Sequence, residues 1–155
     1  MRRLILVLVT LLASSRAGAQ RERESEKSLL SPAYGLHYGA PMRFSIALGA
    51  TLDADRRRTH GAIAMLEQGQ HGNELSAGYF RMIGRYGTGF SVRGAVLRTS
   101  GEPWEANPHT TYVGGEVHLQ LFLGVGGRAG LMRRASHEST GSHDSIVTLG
   151  VSIGA

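Results

Sequence analysis

Hydrophobic and polar residues alternate with a period of two over most of the chain. Between residues 42 and 52, Met42, Phe44, Ile46, Leu48, Ala50 and Leu52 fall on one side and Arg43, Ser45, Ala47, Gly49 and Thr51 on the other. From 113 to 123, Val113, Gly115, Val117, Leu119, Leu121 and Leu123 oppose Gly114, Glu116, His118, Gln120 and Phe122. At the C-terminus, Val147, Leu149, Val151, Ile153 and Ala155 oppose Thr148, Gly150, Ser152 and Gly154. Successive side chains of a strand point to opposite faces, so each stretch predicts a strand with one apolar and one small or polar face. A helix of the same residues would scatter both kinds around its axis.

Four further segments follow the same rule less regularly. In 61–67, Ala62, Ala64 and Leu66 oppose Ile63, Met65 and Glu67; in 75–83, Leu75, Ala77 and Tyr79 keep phase until Arg81 breaks it. In 89–98, Phe90, Val92 and Val96 oppose Ser91, Arg93 and Ala95; in 125–134, Val125, Gly127, Ala129 and Leu131 oppose Arg128, Gly130, Met132 and Arg134. Residues 34–40 supply a short eighth strand. The links at 86–89 and 124–126 are tight, whereas 100–111 and 135–144 are long and polar. Short and long connections alternate in up-and-down transmembrane barrels, with short turns on the periplasmic side. Counted back from the C-terminus, the pattern predicts an all-β, antiparallel barrel of about eight strands with both ends on that side. Residues 53–60 make a longer link than this scheme expects.

The N-terminal residues change the picture. Arg2 and Arg3, the apolar run Leu4–Ala13 and the small residues Ala17-Gly18-Ala19 have the layout of a secretory signal peptide cleaved after residue 19. Residues 20–33 are polar and charge-mixed and predict a short disordered leader. One β-barrel domain over 34–155 follows. Loss of Arg2, Arg3 and Arg16 lowers the net charge from +5 to +2. The precursor's basicity therefore gives no reason to expect a nucleic-acid partner. The chain has no cysteine, which excludes a disulfide scaffold and thiolate catalysis, and 19% charged residues. After residue 19 one lysine remains, Lys27, whereas a solvated sheet face should carry more.

In these features the chain resembles the small eight-stranded outer-membrane β-barrel proteins of Gram-negative bacteria. The resemblance covers residues 34–155 and rests on the signal peptide, the dyad-patterned strands and the alternating final strand. Members usually end in an aromatic residue; this chain ends Ile153-Gly154-Ala155. The resemblance implies an outer-membrane location, membrane lipids as partners, a monomer and no cofactor. An eight-stranded barrel is just wide enough for side chains to fill it. The phase of each strand then predicts a polar lumen cluster of Arg43, Arg93, Glu116, His118, Gln120 and Arg128, with Glu67 an added candidate. Tyr79, Tyr86, Phe90 and Tyr112 lie toward strand ends, where interface aromatics belong. The function implied is structural or adhesive, through loops near Trp104 and His137. The alternative is a soluble periplasmic β-barrel with its apolar faces inward, binding a small hydrophobic ligand.

Catalytic patterns are few. Gly124-Val125-Gly126-Gly127-Arg128-Ala129 matches a dinucleotide fingerprint, but that motif requires a helix next, and a strand-like stretch follows. The seven histidines lack metal-ligand spacing. His137 and Ser139 stand as an H-x-S pair shortly before the last strand, similar to outer-membrane lipid A deacylases, where the histidine would activate the serine. Thr140 follows where that family has asparagine, so a remote hydrolase reading stands behind the non-enzymatic one. Arg56-Arg57-Arg58 could touch anionic head groups or form a solvated turn.

Overall fold

The computed structural model describes residues 29–55, 57–83, 87–122, 124–135 and 143–154. The residues expected to form a signal peptide, most of the expected leader, and Arg56, Tyr86, His137 and Ser139 lie outside them. Eight strands follow in order: β1 (Leu30–Ala40), β2 (Arg43–Asp53), β3 (His60–Gly69), β4 (Gly72–Met82), β5 (Gly89–Thr99), β6 (Thr111–Phe122), β7 (Val125–Arg134) and β8 (Ser145–Gly154). Each pairs antiparallel with its sequence neighbours, and β1 pairs with β8, closing the sheet into a barrel. The described residues contain no helix. The Gly124 motif is the β6–β7 hairpin, with Gly124 at φ +77°.

Two boundaries differ from the sequence reading. β1 starts at Leu30, inside the expected leader. Pro32 sits in the strand opposite Ala50. Asp53 N–H donates to the Leu29 carbonyl at 2.8 Å, so odd-numbered residues of this stretch face β2 and Pro32 faces the β8 side. Pairing with β8 begins only at Gly35, so the proline interrupts no ladder. The second difference lies between β3 and β4, where the break is a two-residue turn, Gln70-His71, rather than a seven-residue link. Residues 72–74 thereby join β4.

One end of the barrel carries the start of β1, the end of β8 and the β2–β3, β4–β5 and β6–β7 connections; this is the terminal end. The other, the loop end, carries two tight turns and the long β5–β6 and β7–β8 connections. Outward residues are apolar through the middle of the wall: Leu36, Ile46, Leu66, Leu75, Val92, Val117, Leu119, Leu131 and Val151 are all exposed. Outward charged or amide side chains, such as Gln68, Asn73, Arg81, Arg98 and Arg133, stand one residue from a strand end.

The interior has three layers. Near the loop end, Met42, Ala95, Leu97, Tyr112, Met132 and Ile146 form one apolar cluster. Near the terminal end, Ala33, Ala47, Ile63, Met65 and Phe80 form another, with Met82 beside it. Charged residues lie between. Met42 was expected to point outward with Phe44 and Ile46, but it is fully buried. It belongs to the β1–β2 turn, before the strand's phase begins.

The β5–β6 connection folds over the loop end and seals it. Thr99 Oγ1 donates to the Asn107 carbonyl at 2.6 Å, and Thr110 N–H donates to Thr99 Oγ1 at 3.0 Å. Tyr112 was expected at an interface, but its phase is that of Glu116 and it is fully buried. Its hydroxyl accepts from Asn107 N–H at 3.0 Å and donates to the His143 carbonyl at 3.2 Å, joining both long connections. Tyr112→Phe leaves a buried N–H without its acceptor. It should lower stability by about 1–3 kcal/mol in urea unfolding, and an unchanged midpoint would show that the seal does not depend on this bond.

Candidate functional site

The middle layer gathers Glu67, Glu74, Arg93, Glu116, His118, Arg128 and His37, each at most 5% exposed. Their direction follows from strand phase: on β3 the outward Ala62, Ala64 and Leu66 put Glu67 inside, and on β6 the outward Val117 and Leu119 do the same for Glu116 and His118. Glycines make the room. Arg93 pairs across strands with Gly78, Arg128 with Gly150, and Glu116 with Gly130. A Cβ on Gly130 would lie 2.7 Å from Glu116 Cγ and 2.5 Å from Thr148 Oγ1.

Arg128 is the hub. Glu67 and Glu74 face each other directly across β3 and β4, a juxtaposition of like charges that is unfavourable alone. Arg128 Nη1 lies 2.8 Å from Glu67 Oε2, 3.9 Å from Glu74 Oε2 and 4.0 Å from Glu116 Oε2. Glu67 also accepts from Ser45 Oγ at 2.5 Å and meets His37 Nδ1 at 2.7 Å. Glu116 accepts from Thr148 Oγ1 at 2.7 Å and meets His118 Nε2 at 3.0 Å. The two imidazole centroids are 5.8 Å apart. A hydrolytic triad places the imidazole between the hydroxyl and the acid. Here the Glu67 carboxylate sits between Ser45 and His37, so the order is hydroxyl, acid, imidazole rather than hydroxyl, imidazole, acid.

Four of the six expected lumen residues enter this layer or its edge: Glu116, His118 and Arg128 at its centre, and Arg93 beside them. The remaining two sit at the barrel ends. Arg43 is a correction. It begins β2 at φ +61°, and its guanidinium lies 5.0 Å from the centroid of the Trp104 ring at the loop-end rim. The turn preceding it lifts the side chain out of the lumen. Trp104 also meets Tyr38 edge-on at 6.0 Å, and its backbone N–H donates to the Pro41 carbonyl at 3.1 Å. It therefore anchors the β5–β6 connection while staying 39% exposed. Gln120 stands at the terminal end, its Nε2 donating to the Gly154 carbonyl at 3.0 Å.

Arg93 points inward as expected. Glu116 is its register partner across β5 and β6. Yet among the described residues no carboxylate lies within 4 Å of the guanidinium, which turns along its own strand so that Nε donates to Ser91 Oγ at 2.9 Å. His37 and Glu74 were missed. For Glu74 the signal existed: the phase of Leu75, Ala77 and Tyr79 puts it inside once β4 is extended to Gly72. For His37 the outward Tyr34, Leu36 and Tyr38 carried the same information.

At the terminal end, the 54–59 connection holds itself in shape. Thr59 donates to the Asp55 carboxylate through its N–H and its hydroxyl, both at 2.9 Å, and the backbone bond keeps the Asp55 carboxyl below its ordinary pKa. Arg58 Nε lies 3.5 Å from Asp53 Oδ2 at the rim. Inside that rim, a cavity of about 230 Å³ reaches down to Arg93. Among the described residues, no three His, Cys, Asp or Glu side chains converge to hold a metal ion. No protein-family model, curated protein or solved structure matches this chain.

Proposed function

We propose that the chain is a non-enzymatic outer-membrane β-barrel with a structural or surface-interaction role in the cell envelope. One observation carries this reading: the outer wall is apolar while a layer of charged side chains is buried at mid-height inside the barrel. Glu67, Glu74, Glu116 and Arg128 are at most 3% exposed, while Leu66, Leu75, Leu131 and Val151 are each at least 60% exposed. In water this arrangement is doubly costly, leaving a continuous apolar wall wetted and charges desolvated. In a bilayer the same wall meets hydrocarbon, and a closed barrel leaves no strand edge unpaired. The outward polar side chains at strand ends fit the two interfaces of such a band. A soluble barrel with a hydrophobic ligand needs the reverse polarity.

The loop end supports the second half of the proposal. Trp104, with Tyr38 edge-on to its ring and the Arg43 guanidinium over it, forms a partly exposed rim there. Such a rim offers a rigid aromatic surface for contact outside the membrane. The protein should fractionate with outer membranes, resist extraction by carbonate or high salt, and migrate differently on gels with and without heating. Recovery in the soluble periplasmic fraction would rule the membrane reading out.

A further inference from the structure

The two ends of the lumen are not equivalent. The loop end is closed by the folded β5–β6 connection over Met42, Leu97 and Tyr112, all fully buried. The terminal end holds the cavity of about 230 Å³. Its walls are mainly apolar, from Ala33, Ile63, Phe80 and Met82, with Ser31 and Thr51 near the mouth. Its floor is Arg93, 3% exposed and without a carboxylate within 4 Å among the described residues. At the mouth, Asp53 is already matched by Arg58.

We propose that this vestibule is a binding site for a small amphiphilic carboxylate, its head on Arg93 and its short tail against Ile63, Phe80 and Met82. A buried cation with no ion pair is costly, so an anion that reaches it gains more than it would at the surface. A guanidinium presents a planar fork that matches a carboxylate. Ser91 occupies Nε and leaves the rest of the fork to the cavity. The volume lies below the roughly 300–1,000 Å³ of sites for drug-sized ligands, which restricts the tail to a short chain. The site goes beyond the envelope role and does not depend on it, because the vestibule is internal to the barrel whether lipid or water surrounds the wall.

The methionines provide the test. Met82 lines the cavity and Met65 belongs to the apolar cluster behind it, while Met42 and Met132 lie in the sealed layer. Full-length mature protein labelled with 13C at the methionine methyls is placed in phosphatidylcholine nanodiscs, or in buffer if it proves soluble, and titrated with octanoate. The Met82 and Met65 signals should shift saturably, and those of Met42 and Met132 should stay. Octanol should bind at least tenfold more weakly, and acetate should leave Met82 unmoved. Arg93→Gln should weaken octanoate binding at least tenfold with the Met42 and Met132 signals in place. Ser31→Trp, which narrows the mouth and leaves Arg93 intact, should abolish the shift. Equal shifts at all four methyls, octanol binding as tightly as octanoate, or unchanged binding in both variants would overturn the site. Those results would leave the membrane reading untouched, since fractionation decides that independently.

Discussion

Glu67→Ala should be the most damaging single substitution in the barrel. It removes the carboxylate that takes Arg128 at 2.8 Å, Ser45 at 2.5 Å and His37 at 2.7 Å, and it leaves a guanidinium with no exposed surface. Breaking one partner out of a buried pair costs about 3–5 kcal/mol, because the remaining charge stays desolvated. At an m-value of about 2 kcal/mol per M, the urea midpoint should fall by about 2 M. Ser45→Ala removes one hydrogen bond to the same carboxylate and should cost less, about 1.5–3 kcal/mol. Glu102→Ala, in the exposed β5–β6 connection, should stay within about 0.5 kcal/mol. If Glu67→Ala unfolds at the same urea concentration as Glu102→Ala, the charged layer does not hold the barrel together.

Val117→Arg probes the opposite face. Val117 is outward, mid-strand on β6 and 42% exposed. In a bilayer, arginine at the midplane of a barrel wall costs about 2–4 kcal/mol, falling to about 0–1 near the interfaces. In water, a surface substitution of this kind stays within about 0.5 kcal/mol. Asn73→Arg, at the loop-end margin of β4, supplies the shallow comparison. Measured in phosphatidylcholine bilayers, the loss for Val117→Arg should exceed that for Asn73→Arg by about 2 kcal/mol, following depth in the membrane. Equal effects at the two positions would place the wall in water.

Most of the barrel could be read from the alternation of residues. The phases of β2, β5, β6, β7 and β8 follow from the chain alone, and with them the inward direction of Arg93, Glu116, His118 and Arg128. What escaped was set at turns and by three-dimensional proximity. Periodicity cannot tell where a strand yields to a two-residue turn, so Met42 and Arg43 were given the wrong surroundings and Glu74 was left in a link. Phase places Glu116 and Arg93 on one face, and the structure puts them in register. Neither says which way along the lumen a long guanidinium will reach, and here it reaches Ser91 rather than Glu116. Pro32 shows the converse, a local signal for a break overruled because the neighbouring strand stops short of it.

The closure of β1 on β8 has a consequence for how the barrel is made. Every other pairing joins consecutive strands and can form as a hairpin as soon as both strands exist. This one joins residues 35–40 to 149–154, almost the whole length of the barrel domain. Its loop-closure entropy is the largest in the molecule. Zipping is therefore local and cheap, while closure is a single late event that depends on the last ten residues. Until then an eight-stranded curved sheet carries two open edges, one on β1 and one on β8. Arg128 and Glu67 are then screened by solvent rather than by protein. The charged layer gains its full strength only when the seam shuts, which makes closure cooperative and an unfinished barrel conspicuous to whatever inspects it.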